Sequence, residues 1–577
     1  MMTGRISEPR AWLRHASTPC SLAAALALAA ALCSAQDNPP AAAAPQAAHD
    51  QSRHEVSADS APLPSPQELE ALGLVIGDIT IDNQDIFDLT DPKENKALFR
   101  LANRLHYETR VEVIRDQLLF RTGDKFSARL LDESERLLRT ARYLYDARVW
   151  PVAVHDGKVD IAVKTRDVWT LNPGISFGRR GGQNTSGIEL EELNLLGAGI
   201  ELSVAHKSGI DRDENRFDFR DRNVRGSWWT VAADYSNNSD GGVKALLIER
   251  PFFALDSRWA TGVSIVDNDR VDSLYDRGEI VDQFREHQRF TELYGGWSRG
   301  LRNGWVRRWS VGATYDERQF DVSPLWTGTS VVPPDRKYAY PWVQFDLIQD
   351  NYLKLRNRDQ LERTEDFYLG ARASFRLGWA AAALGSQQSA LIFSGSFGHG
   401  AAPSEHTTLV SNLSLAGRVE SGALKNSIIG GDVRYYAQHS KHLLFFTTLE
   451  AAYGRNLDLD DQLLLGGDSG LRGYPLRYQG GNARALLTVE ERYFSDWYPF
   501  RLFRVGAAAF VDVGRTWGNA PLSSPSLGLL KDIGLGLRFG NSRSGLGNVI
   551  HVDVAFPLDG DPSIKNVQFL IETKQSF

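Results

Sequence analysis

Nowhere in the 577 residues do apolar side chains run on for the roughly eighteen positions that a membrane-crossing helix needs. From Leu171 to Phe577 the chain instead breaks into runs of about ten residues in which apolar and polar side chains alternate, separated by Gly, Asn, Asp, Ser and charged clusters. A period of two makes a strand with two different faces. Ile533, Leu535, Leu537 and Phe539 share one parity while Asp532, Gly534, Gly536 and Arg538 share the other, and Ile550, Val552, Val554 and Phe556 alternate likewise with His551 and Asp553. Lipid supplies no hydrogen-bond partner, so strands that face it must close into a barrel. A soluble two-sheet sandwich is the alternative. Confinement of charge to one parity over many strands argues against it, because a charge on the lipid face costs about 2–4 kcal/mol at mid-bilayer. The alternation gives about eighteen to twenty strand-like runs, with aromatic residues gathered near run ends as interfacial girdles require.

The N-terminal end has a different character. Residues 1–35 carry Arg5, Arg10 and Arg14, an apolar run from Leu22 to Leu32, and small residues before Gln36, which is the pattern of a secretory signal. Residues 36–66 are rich in Ala, Pro, Gln and Ser without periodicity and predict a disordered leader. The only cysteines, Cys20 and Cys33, fall within the signal, so a processed chain has no thiol for a disulfide, a Cys-ligated metal or nucleophilic chemistry. A net charge of −7 leaves no chain-wide basic field for nucleic acid.

Between leader and barrel, residues 67–169 predict a compact α+β domain. Leu74 to Ile81 alternates as a strand. Asp91-Pro92 opens a helix expected to reach Arg104, and Val111, Ile114 and Leu118 mark a second, stopped at Gly123. Leu130, Ser134, Leu137, Leu138, Ala141 and Tyr145 recur at helical spacing. Two strands, Ala147 to Val154 and Val159 to Thr165, then flank Asp156-Gly157, a tight-hairpin pair. With the phrase from Leu119 to Asp124 and the segment from Leu130 to Leu138, this order resembles a single POTRA domain. The resemblance implies capture of extended polypeptides by strand addition at a sheet edge.

The stretch Gly466-Gly467-Asp468-Ser469-Gly470-Leu471-Arg472-Gly473-Tyr474 sits in a connection that is long for a barrel turn. In the run from Val505 to Val513 the apolar parity puts Asp512 inward beside Gly506, Ala508 and Phe510, small residues expected to leave room for a loop. In the run from Ala485 to Tyr493 it puts Glu490 inward, although Glu491 then falls on the apolar parity near the strand end. Together with Phe510-Val511-Asp512-Val513-Gly514 and an aromatic C-terminus, these motifs resemble the BamA/TamA superfamily of outer-membrane assembly and translocation barrels. The resemblance implies sixteen strands, a loop folded back into the lumen, and a latch in which Arg472 donates to Asp512 first and Glu490 second. Gly473 then supplies a permissive backbone and Tyr474 a packing anchor. Phe569, Ile571 and Phe577 stand where that family carries a C-terminal sorting signal. The seam expected to open pairs the strand from Pro173 to Arg179 with that from Val567 to Phe577, weakened by Gly174, Gly181 and Gly182.

The fold class is therefore an α+β POTRA module followed by a large antiparallel transmembrane β-barrel over residues 170–577, in the bacterial outer membrane with the module in the periplasm. Its expected partners are the lipid bilayer and unfolded outer-membrane or secreted client polypeptides, with accessory lipoproteins allowed by the resemblance and no nucleic acid. A dedicated secretion channel or a gated pore is the alternative. No enzymatic activity and no cofactor are expected. Gly467-Asp468-Ser469-Gly470 imitates a serine-protease nucleophile loop, but no positioned His or oxyanion hole accompanies it. The twelve His show no close pair for a metal, and no phosphate-cradling loop ends in Lys-Ser or Lys-Thr.

Overall fold

The computed structural model describes residues 63–518 and, beyond them, all but 519–521, 523, 546–547, 561, 563 and 575. The expected signal and most of the expected leader lie outside the described residues. Helix α1, Pro66–Ala71, begins within the stretch read as leader: Ser65 and Glu68 form a reciprocal capping box and Pro66 takes the first helical position. No described helix is long and apolar enough to cross a membrane.

A small α+β module comes first. Its sheet has the order β1 (Val75–Gln84), β3 (Lys158–Asp167), β2 (Leu144–His155), with β1 parallel and β2 antiparallel to β3. Asp156 and Gly157 both take positive φ, 45° and 74°, the geometry a two-residue hairpin demands. The helices are α2 (Ala97–Leu105), α3 (Val111–Arg115) and α4 (Ala128–Thr140). The helix expected from Asp91 starts later, because Asp88 and Asp91 turn back to cap the amides of Thr90 and Lys93 and hold that stretch as a turn. The second helix is one turn long. After it the chain runs back along β1, where Gly123 N and Phe126 N donate to Ile76 and Leu74 carbonyls. Leu131, Ser134 and Leu138 of α4 are buried against Ile114, Phe120, Leu144 and Val163, with Leu130 at the edge of that core.

The rest is a closed antiparallel barrel of twenty strands. The count of sixteen that resemblance implied is corrected. Each alternating run after Leu171 forms its own wall strand, which agrees with the upper end of the pattern-based count. Wall strands range from the seven residues of Gln568–Lys574 to the twenty-four of Glu279–Arg302. In Leu530–Asn541, Ile533, Leu535 and Leu537 are exposed outward while Asp532, Gly534, Gly536 and Arg538 are buried inward, as their parity dictates. Trp259, Trp297, Trp309, Trp379 and Tyr493 stand on the outer surface.

Every pair of neighbouring strands is joined by seven or more register pairs except one. Among the described residues the last strand meets the first, Leu171–Arg180, through the single pair Ile571↔Arg179. The module lies across the mouth of the barrel beside this first strand. Its α4 reaches the wall turns through Glu133, which accepts from Leu255 N at 2.7 Å, and through Arg129 with Asp256. Glu94 meets Arg543 on another turn, and Asn194 and Asn223, in two more turns, donate to Thr109 Oγ1 and the Asp116 carbonyl.

Candidate functional site

Residues 456–482 connect the strands Leu443–Arg455 and Ala483–Phe494 at the end of the barrel away from the module. The connection enters the barrel on a short antiparallel stalk, Leu463–Leu465 with Gln479–Gly481. A single turn at Gly467–Ser469 then reverses it: Ser469 Oγ accepts from Gly466 N at 2.7 Å, and Asp468 Oδ1 accepts from Arg477 N at 3.0 Å. Asp468 and Ser469 thus act as turn residues.

Arg472 stands at the tip, 4% exposed. Its Nε and Nη2 donate to Asp512 Oδ2 and Oδ1 at 2.7 and 2.9 Å, and its Nη1 donates to Glu490 Oε1 at 2.8 Å. The guanidinium carbon lies 3.4 Å from the centre of the Phe510 ring. Two parallel bonds to one carboxylate fix the fork in orientation as well as position. Strand register explains the convergence. Thr488, Asp512 and Asp532 lie side by side on three adjacent strands with Glu490 two residues along, so one parity puts all of them inside.

Gly473 has a role other than the one expected. Its φ is not positive, but a Cβ there would come within 2.6 Å of Asp532 Cβ and 3.0 Å of Pro557 N. Glycine is needed for close approach, and its N–H donates to Asp532 Oδ2 at 3.0 Å. Tyr474 is fully buried with Leu465, Leu471 and Leu486, its hydroxyl donating to the Lys531 carbonyl at 2.8 Å. The inward space at Gly506 goes to another occupant: a Cβ there would strike the Phe577 ring at 2.7 Å, whereas Gly514 makes room for Leu465 and Leu471.

The three C-terminal residues part company. Phe569 is exposed on the outer face, and Ile571 stands at the seam opposite Arg179. Phe577 is folded into the barrel, 3% exposed, its ring 4.7 Å from Phe494 and its N–H donating to the Asp359 carbonyl at 2.7 Å. Of the expected pairing of residues 567–577 along the first strand, the described residues make one register pair.

Several contributors escaped the sequence reading. Arg492 Nε donates to Glu490 Oε2 at 2.9 Å, Thr488 Oγ1 to Asp512 at 2.7 Å, and Arg538 bonds Asp553, itself 4.0 Å from Arg472. Parity places Arg538 and Asp553 inward and puts Arg492, two residues from Glu490, there as well, but it does not pair them with the latch. A second clamp of opposite polarity holds the stem of the connection: Asp458 accepts both Nη atoms of Arg418 at 2.8 and 2.9 Å, and Asp460 accepts both Nη atoms of Arg336 at 2.9 and 2.6 Å. Asp461 takes Asn426 Nδ2 at 2.7 Å. These three carboxylates lie close enough together to suggest a cation site, but guanidinium and amide groups already face them. Arg477 forks onto Asp211, in the turn between the third and fourth wall strands, at 2.6 and 2.7 Å.

No family model matches the chain, and no curated protein matches it. Solved structures with a similar arrangement include BamA from Haemophilus ducreyi lacking POTRA domains 1–3, at 13% identity and a TM-score of 0.36, covering 86% of this chain and 84% of that one. CdiB from Acinetobacter baumannii is 13% identical with a TM-score of 0.45, covering 89% and 77%. CdiB from Escherichia coli is 12% identical with a TM-score of 0.34, covering 92% and 93%. These superpositions are loose, and what the site does has to be argued from its own residues.

Proposed function

We propose that this chain is an outer-membrane barrel that helps client polypeptides insert into or cross the membrane, taking them at the edge of the N-terminal sheet and passing them to a barrel that opens at its seam. The observation that carries the reading is the wall's own closure. Nineteen junctions have ladders of seven or more register pairs, four of them interrupted by a register shift, and one has among the described residues a single register pair, Ile571↔Arg179, beside Gly178, whose missing Cβ lets the Ile571 carbonyl approach. A seam with few main-chain hydrogen bonds is the place where a strand from another chain can add at least cost. The module runs β1, then the three helices α2 to α4, then the β2–β3 hairpin in a mixed sheet, which supports the POTRA-like reading of its sequence, and β2 is an edge strand with Val152 and Val154 exposed. The exposed apolar outer parity supports a membrane location.

Locking the seam tests this. A disulfide between cysteines at Arg179 and Ile571 is expected to abolish client delivery and leave a folded, heat-modifiable barrel, with activity returning on reduction. Full activity of the locked barrel would reject opening at this place. Deletion followed by quantitative outer-membrane proteomics separates the two forms of the reading: loss of many barrels means general assembly, and loss of one exported protein means a dedicated secretion channel. A freely conducting pore is the weaker alternative, because the loop tip is folded into the lumen and the module lies across its mouth.

A further inference from the structure

On the module-facing side, between the wall strands Arg336–Gln349 and Arg372–Ala380, the chain makes a hairpin, Tyr352–Leu355 with Glu365–Tyr368. Its base is bound to the module. Arg139 forks onto Asp366 at 2.7 Å through Nε and Nη2, Lys354 Nζ meets Glu135 at 2.6 Å, Arg363 Nη2 donates to the Leu144 carbonyl at 3.1 Å, and Thr364 Oγ1 to Asp146 at 3.1 Å.

Its tip is inside the barrel. Leu361 is buried among Tyr436, Phe446, Phe494 and Phe577. The Asp359 carbonyl accepts Phe577 N, and the Asp359 carboxylate accepts the Tyr436 hydroxyl at 3.0 Å. The Arg358 carbonyl accepts Arg492 Nη1 at 2.8 Å, and Arg358 itself donates to Gln438. Arg492 is the same residue whose Nε holds the second oxygen of Glu490, whose first oxygen holds Arg472. An unbroken series of bonds therefore runs from the module through the hairpin to Arg492, Glu490 and the loop tip, and a branch at Asp359 runs to the C-terminal residue behind the seam.

We propose that this hairpin is a coupling pin: while the module is docked it holds both the loop tip, through Arg492, and the last strand, through Phe577, and when the module leaves the mouth it releases them together. Arg492 is the positioning residue at the joint. The reason for the module to leave rests on the function proposed above, but the coupling belongs to the chain alone. Two distant elements can be coupled when one segment contacts both, and the hairpin tip contacts Arg492 and Phe577.

Hydrogen–deuterium exchange on the full-length protein in nanodiscs, without client, tests it. Leu361→Gly and Arg492→Gln are each expected to speed exchange about tenfold or more in residues 466–474 and in 568–574, far from any change in the intervening wall. Arg492→Lys keeps a charge for Glu490, but its single nitrogen cannot span both Glu490 and the Arg358 carbonyl as Nε and Nη1 do. It is expected to restore protection of the loop and leave the last strand fast, a split that general destabilisation would not produce. The double variant Lys354→Gln/Asp366→Asn, which touches only the hairpin base, serves if Leu361→Gly does not fold, and the coupling requires both segments to exchange faster in it too. Wild-type protection at either segment in whichever of Leu361→Gly, Arg492→Gln and Lys354→Gln/Asp366→Asn fold, or wild-type protection of the last strand in Arg492→Lys, overturns the proposal. With no client present, that failure leaves the translocation reading intact, and a deletion strain with a normal outer membrane would leave the coupling intact.

Discussion

Three of the Arg472 nitrogens have carboxylate partners in a buried setting, so replacing this residue leaves Asp512 and Glu490 facing each other without their shared cation. Removing one member of a buried pair costs about 3–5 kcal/mol, and water reaching the lumen lowers that figure. Arg472→Ala is expected to free the tip and raise single-channel conductance in planar bilayers above a low, quiet wild-type level. Arg472→Lys should fall between the two, since an ammonium group cannot reproduce the fork onto Asp512. High, steady conductance of the wild type would contradict a plugged lumen. Gly473→Ala should resemble Arg472→Ala without any loss of charge, because its methyl group and Asp532 cannot occupy the same place. Parity made Asp512 and Glu490 legible in the sequence, since a period of two leaves only two directions. It could not reveal that Asp532 would take the Gly473 amide, nor that Phe577 would turn inward, because both depend on which segments distant in sequence meet inside the barrel.

The hairpin Tyr352–Tyr368 was illegible for a related reason. Its two four-residue strands are too short for a periodic signal of their own. The wall strands were legible because each carries its own alternation. The short α3 was overextended because Leu118 continues the helical spacing although the backbone has already turned to follow β1. Within the hairpin, Glu365 accepts the amides of Arg358 and Asp359 at 2.9 Å each, and burial, followed by the nearby Asp359 charge, pushes its carboxyl up to about 7. A carboxyl raised in the folded state contributes stability that is fully present below its unfolded value, near 4.5, and is lost as pH rises through about 7. The tip should therefore exchange its amides faster, after correction for intrinsic rates, at pH 8 than at pH 5.5, and Glu365→Gln should flatten that dependence. A tip equally protected across this range would show that Glu365 does not govern it.

At the scale of the molecule the module and barrel meet through ion pairs of Arg129, Arg139, Glu94 and Lys354 and through an apolar cluster in which Ile86, Phe87 and Phe99 of the module pack with Leu502 of a wall turn. The ion pairs make this junction sensitive to salt. Charge reversal at Arg139→Glu is expected to displace the module, read as a longer and broader distance between spin labels on α4 and on a wall turn, and Asp366→Arg in the same chain should draw it back. No recovery in the double variant would mean that the pair does not position the module. The connection that fills the lumen also has a mechanical consequence. The tip is fixed to strands Ala483–Phe494 and Phe503–Trp517, the stem to strands Arg336–Gln349 and Thr407–Glu420, and Arg477 to the turn at Asp211. A cylinder of twenty staves is wide enough to flatten under lateral pressure, and hoops alone do not prevent ovality. Anchored at three places on the circumference, this segment is an internal tie-rod, and cutting it should let the cross-section breathe before any stave comes loose.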